Sequence, residues 1–333
     1  MTLPHDRDDT SGQHLFLGFQ GTVWTETLRD RLRALRPGGL VLFRRNIQEA
    51  EQLKELIREA GAWARTELGR GLLWAVDEEG GTVQRLSALL GPAPAALDLA
   101  EQGEEAVFRC VSETARGLRA LGIHVNFAPV LDVVDDPQTH FLGSRSLGSN
   151  PDTAARLGAV WIGALQEHGV AATAKHFPGL GAARLDPHHR LPILDEDCVE
   201  KVRRDLLPFR EAVRCGVQAV MTSHALYRFW DPDWPGTLSI KINRELLRNR
   251  WGFGGVLFSD DLDMKAVGGR YEPETIVRRS LLATVDGLLV CQDENSADIF
   301  ARALYDGIRR HRDLEEAHRC SLDRLRALSA SFF

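Results

Sequence analysis

Short apolar runs alternate with longer amphipathic stretches along almost the whole chain. The apolar runs fall at 15–19, 39–43, 72–77, 125–132, 170–176, 219–224, 255–260 and 287–291, which makes eight of strand length. Between and after them, apolar positions recur with helical spacing at 25–35, 48–68, 105–121, 152–168, 196–215, 243–251, 274–283 and 296–311. Eight strand–helix units in one order predict a parallel sheet closed into a single (β/α)8 barrel. No Pro/Ser-rich linker divides them, so residues 13–333 are expected to form one domain behind a flexible segment at 1–12.

Most of the strand runs end on a charged or hydrogen-bonding residue: Asp77, Asp132, the pair Lys175-His176, His224 and Asp260. In a (β/α)8 barrel the C-terminal strand ends converge on the active site, so these side chains are expected to share one pocket. An open doubly wound sheet would carry a Gly-rich first turn with an acidic partner about 20 residues on. Neither is present.

Composition narrows the class. Of the 333 residues 44% are hydrophobic and 26% charged, a balance that suits an ordinary globular core. A net charge of −6 argues against a nucleic-acid partner, which calls for a concentrated basic surface. The five cysteines are scattered, odd in number and free of CxxC spacing, so neither a disulfide framework nor a thiolate metal site is expected. The first residues lack the basic and apolar regions of a signal peptide, and no apolar stretch approaches the roughly 20 residues of a membrane span. A cytoplasmic protein without a membrane partner is the expectation.

Four segments carry candidate chemistry. The strand GVLF ends abruptly in Ser259, Asp260, Asp261, Leu262 and Asp263. Asp261 and Asp263 read equally well as caps of the following helix, since Asp accepts backbone N–H bonds at helix starts. Asp260 terminates the strand itself and is the candidate nucleophile. The strand ending in Lys175-His176 enters a Gly/Pro loop that carries Asp186-Pro187-His188-His189. In an extended segment residues two apart project to the same side, so Asp186 can reach the His188 imidazole and form an acid/base unit. A chance surface pair is the bland alternative. Zinc on His176, His188, His189 and Asp186 fits no familiar ligand spacing, and no metal is expected. In AVDEEGGTVQRL, Asp77 and Arg85 suit sugar hydroxyls, or equally one another as an ion pair. The segment GSRSLG offers Arg145 as a further cation over the pocket.

Together these segments resemble glycoside hydrolase family 3, in particular the single-domain bacterial β-N-acetylglucosaminidases of peptidoglycan recycling. The likeness runs from about residue 16 to about residue 291: AVDEEGGTVQRL, NFAPVLDV, SRSLG, KHFPGLG, the D-x-H of Asp186 and His188, MTSH and SDDLDM follow in the family's order. The resemblance implies that Asp260 is the nucleophile of a retaining exo-glycosidase and that His188, assisted by Asp186, is its acid/base. It also implies that Asp77, Arg85, Arg145, Lys175 and His176 bind the terminal sugar, with no metal or organic cofactor. The implied substrate is a small carbohydrate, a peptidoglycan-derived amino sugar fragment. A β-glucosidase, a β-xylosidase or a phosphorylase of the same family, or a degenerate sugar-binding barrel, are the alternatives. Two positions depart from the family pattern: Leu180 replaces the second histidine of K-H-F-P-G-H-G, and Pro187 the serine of D-S-H.

Overall fold

Eight parallel strands form the centre of the computed structural model, which describes residues 9–333. The barrel strands are β1 Leu15–Leu17, β2 Gly39–Leu42, β3 Leu73–Val76, β4 Val125–Asn126, β5 Ala171–Phe177, β6 Ala219–Thr222, β7 Val256–Phe258 and β8 Leu288–Val290. Each of β1 to β7 pairs with its sequence neighbour, and β8 pairs back onto β1. The ring closes between β7 and β8 through a parallel bridge from Phe258 to Gly287, where the Ser259 N–H donates to the Gly287 carbonyl at 2.8 Å. The expected (β/α)8 barrel is therefore what the chain forms.

Strand alternation sorts the apolar residues into two cores. Leu40, Leu42, Trp74, Val76, Ala172, Val220 and Leu257 face outwards and pack under the helices. Phe16, Val41, Ala75, Val125, Phe127, Met221, Phe258 and Leu289 point into the barrel and fill it. Within it Phe258 sits edge-on to Phe16 at 4.8 Å and to Phe127 at 5.5 Å between ring centres.

The outer helices are α1 Glu26–Leu35, α2 Ala50–Glu67, α3 Glu104–Leu121, α4 Pro151–Glu167, α5 Val199–Arg214, α6 Lys241–Arg250, α7 Pro273–Leu282, α8 Glu294–Arg310 and α9 Arg312–Ala330. Local chemistry starts several of them: Thr25 accepts from the Leu28 N–H ahead of α1, and Asn150 accepts from the Thr153 N–H ahead of α4, with Pro151 in its first turn.

Three features differ from the sequence expectation. Helix α9 lies beyond the last expected helix. Its Leu322, Leu325 and Leu328 join the inner core and close the end of the barrel opposite the strand C-termini. The run at 125–132 is regular only over β4, because Pro129 has no N–H for the ladder; Val130 and Leu131 follow β5 through irregular bonds to Lys175. Of the segment expected to be flexible, residues 1–8 lie outside the described residues, whereas Ser11 and Gly12 are buried, Gly12 against the Leu35 backbone. No helix among the described residues is long and apolar enough to cross a membrane.

Candidate active site

The C-terminal strand ends and the loops that follow them surround a cavity of about 410 Å³. Asp77, Arg85, Arg145, Lys175 and His176 line it, and so do Asp186, His188 and Asp260. Residues separated by up to 183 positions in sequence thus meet because each stands at the C-terminal end of a parallel strand or on the loop that follows it.

One wall is a buried ion cluster. Lys175 reaches Asp77 at 2.7 Å and Glu79 at 2.6 Å, and Arg145 grips Glu79 with two bonds of 2.7 and 2.8 Å. Burial alone would raise the Glu79 carboxyl, but Lys175 and Arg145 pull it down to about 2. Burial likewise opposes the charge on Lys175, and Asp77 with Glu79 outweigh it and raise its pKa. Glu79 is the residue the sequence reading passed over. The signal was present, since Glu79 lies two residues beyond Asp77 in the same run of acids.

Asp77 and Arg85 approach only to 3.8 Å, and the buried Arg85 Nε has no partner among the described residues. Asp77 is thus held by Lys175 more closely than by Arg85, which leaves the guanidinium with unused donors facing the cavity.

His176 is fixed from behind. Its Nδ1 lies 2.7 Å from Asp132 Oδ2, and the same fully buried carboxylate accepts the Leu180 N–H at 2.7 Å. Asp132 therefore sets both a cavity-lining imidazole and the start of the loop that carries Asp186. Its strand-end position is legible in the chain, but its role depends on where His176 and Leu180 meet it. His224, another strand-end residue, is buried between Thr237 Oγ1 and the Asp261 carbonyl instead of lining the cavity.

Asp260 is half-buried at the end of β7, where the Asp261 N–H donates to its Oδ1 at 2.8 Å. Burial would raise its pKa, yet the positive potential of His176 and His224 and the Asp261 N–H hold it below the usual carboxylate range. It is an ionised carboxylate at neutral pH. Asp261 and Asp263 do not cap a helix, because α7 begins only at Pro273. Asp263 accepts the Gln292 and Asp293 N–H groups, and Asp261 accepts that of Cys291, which ties the β7 loop to the β8 loop. Burial and the neighbouring Asp263 raise Asp261 to about 7.

The Asp186–His188 contact forms as expected but by different geometry. The segment is a turn, in which the His189 and Arg190 N–H groups donate to the Asp186 carbonyl and the His188 N–H donates to Asp186 Oδ1. This turn, and no extended strand, brings His188 Nδ1 to 2.6 Å from Asp186 Oδ1. With Nδ1–H donated to the carboxylate, Nε2 is the ring atom left for other work. His189 is exposed and does not line the cavity. Among the described residues no group of three or more His, Cys, Asp or Glu side chains could hold a metal ion.

Comparison with known proteins places the chain in a family. Residues 17–319 match the family model described as the glycosyl hydrolase family 3 N terminal domain. A beta-hexosaminidase of Thioalkalivibrio sulfidiphilus is 38% identical over 299 residues, which cover 88% of this chain and 84% of that protein. One from Pseudomonas aeruginosa is 37% identical over 293 residues, 87% of this chain and 86% of that protein. Among solved structures, a family 3 beta-N-acetylglucosaminidase from Paenibacillus sp. str. FPU-7 superposes with a TM-score of 0.91 at 34% identity, covering all of this chain and 63% of that one. A beta-N-acetylhexosaminidase from Beutenbergia cavernae gives 0.88 at 26% identity, with 96% of this chain and 97% of that chain covered. Barrel, cavity and relatives together define a glycoside hydrolase. The chain belongs to glycosyl hydrolase family 3.

The ion cluster has a measurable consequence for stability. Glu79→Gln leaves Lys175 and Arg145 short of a buried counter-charge, which should lower unfolding free energy by about 3–5 kcal/mol at neutral pH. A carboxyl depressed to about 2 from its ordinary 4.5 adds stability that is present above 4.5 and is lost as pH falls towards 2. The gap between wild type and Glu79→Gln in urea unfolding should therefore narrow as the pH is lowered below 4.5. A gap that is absent at neutral pH, or that widens in acid, contradicts this view of the cluster.

Proposed function

We propose that this chain is a retaining β-N-acetylhexosaminidase that removes one terminal β-linked N-acetylglucosamine at a time from a small peptidoglycan-derived fragment. The observation that carries the reading is an ionised carboxylate, Asp260, in the same blind cavity as an exposed His–Asp pair. Glycoside cleavage with retention needs a nucleophile below the anomeric carbon and a proton donor at the leaving oxygen.

In the first step an Asp260 oxygen forms a bond to the anomeric carbon while the bond to the leaving oxygen breaks, and the His188 Nε2 proton passes to that oxygen. In the second, His188 takes a proton from water, the water oxygen bonds to the same carbon, and Asp260 departs as carboxylate. Asp186 holds the imidazole by its Nδ1–H and favours its charged form. Asp77, Arg85, Arg145, Lys175 and His176 bind the terminal sugar. Asp77 can accept from hydroxyls, and the free donors of Arg85 suit a hydroxyl or an amide carbonyl. No organic cofactor or metal takes part in this scheme. The free cysteines of the described chain support a cytoplasmic, reducing site of action.

The test is a panel of p-nitrophenyl glycosides assayed with and without phosphate. The β-N-acetylglucosaminide should be cleaved well ahead of the β-glucoside and β-xyloside, with a rate that phosphate leaves unchanged. Preferred cleavage of a different sugar, or rate and product governed by phosphate, replaces the reading with a β-glucosidase, β-xylosidase or phosphorylase. No turnover of any member leaves a sugar-binding barrel.

A further inference from the structure

The loop that bears Asp186 and His188 leaves the barrel at Leu180 and rejoins regular structure at Ile193–Leu194, which pairs with Leu226–Tyr227. Its two ends are held: the Leu180 N–H by Asp132, the Gly181 N–H by Asp205, and the Pro192 carbonyl by the Leu226 N–H. Between Ala182 and Leu191 one hydrogen bond reaches it from outside among the described residues. His140 Nε2 lies 2.8 Å from the Ala183 carbonyl.

His140 belongs to the loop after β4, the one that carries Arg145. The Leu142 N–H donates to its Nδ1 at 3.2 Å, so the ring proton is on Nε2 and is donated to Ala183. The Leu142 carbonyl in turn accepts the Arg145 N–H at 3.0 Å. A turn fixes the ring from the other side, since Asp136 accepts the Gln138 N–H and the Thr139 hydroxyl, and its carbonyl accepts the His140 N–H. Phe141, whose ring lies 4.4 Å from that of His140 at 30°, lines the cavity with Leu142. A continuous chain of bonds therefore runs from the backbone three residues before Asp186 to the backbone of Arg145.

We propose that His140 is a positioning residue: it pins the acid/base loop to the arginine loop, so that His188 and Arg145 are set over the cavity as one unit. Ala183 is buried while His188 is exposed, so the pin acts where the loop is packed and leaves its tip accessible. The role of His188 in this inference rests on the function proposed above, whereas the mechanical tie does not.

The test compares His140→Ala, His140→Phe and His140→Gln. Phenylalanine keeps a ring beside Phe141 but has neither nitrogen, and glutamine keeps a donor and an acceptor. With aryl β-N-acetylglucosaminides of graded leaving-group pKa, His140→Ala and His140→Phe should lose about tenfold or more in kcat/KM for the poorest leaving groups and under about threefold for the best, because misplacement of a proton donor matters only where protonation is needed. His140→Gln should recover a good part of the loss. Amides of 182–191 should exchange hydrogen faster in the Ala and Phe variants than in wild type, and those of the barrel strands should not. A uniform fall across all leaving groups, or no fall, overturns the positioning role. If wild type cleaves none of these glycosides, the proposed function fails and the exchange data decide alone: unchanged exchange at 182–191 in both variants overturns the pin.

Discussion

Asp260→Asn should lose on the order of 10⁴-fold or more in kcat while its far-UV circular dichroism and thermal midpoint stay close to wild type, as expected when the nucleophile of a covalent mechanism is removed. The substitution keeps shape and can still accept the Asp261 N–H that now bonds Asp260 Oδ1. What it removes is the negative charge of a carboxylate held below the usual range. An amide oxygen is a poor nucleophile at an anomeric carbon. Steady-state kinetics on a p-nitrophenyl β-N-acetylglucosaminide checks this, and a variant with a substantial fraction of wild-type kcat would remove Asp260 from the mechanism.

The second large effect separates His188 from its neighbour. His188→Ala should lower kcat/KM for aryl glycosides with poor leaving groups by about 10²–10⁴-fold and leave those with the best leaving groups much less affected, because a good leaving group departs with little protonation. His189→Ala should do neither, since His189 is exposed and outside the cavity lining. Asp186→Ala should give a milder form of the His188 defect: it removes the 2.6 Å bond to Nδ1 and the support of the charged imidazole but leaves the ring in place. The measurement is kcat/KM for the three variants across graded leaving groups. A steep dependence in His189→Ala instead, or in none of them, means that another group at the barrel mouth supplies the proton.

The parts of this molecule that could be read from the chain were those governed by periodicity. Eight apolar runs, each with a partner helix, specify the barrel because alternate side chains must fill the interior and meet the helices, as Val41 and Leu42 do on opposite faces of β2. The strand-end position of Asp77, Lys175, His176 and Asp260 followed from the same count, and all four line the cavity. Helix α9 was missed because its surface is highly polar, although Leu322, Leu325 and Leu328 keep helical spacing along the face that seals the barrel floor. Other features depend on contacts between distant segments. That Asp261 and Asp263 would tie the β7 loop to the β8 loop, and not start a helix, depends on where residues 291–293 pass. That Glu79 would be the shared anion of Lys175 and Arg145 depends on three strand ends meeting. The Asp186–His188 pair was legible as a contact, but a turn closed by the Asp186 carbonyl, not strand alternation, creates it.

The proposed covalent glycosyl-enzyme on Asp260 can be trapped. His188→Ala should react quickly with a 2,4-dinitrophenyl β-N-acetylglucosaminide and then stall, because release of the sugar needs the base that has been removed. Mass spectrometry of the quenched variant should show one N-acetylhexosaminyl unit per chain, attached to the peptide containing Asp260. Unmodified protein during turnover with retained configuration would point to attack by the substrate's own acetamido group; that outcome, or a label on any residue other than Asp260, contradicts the assignment.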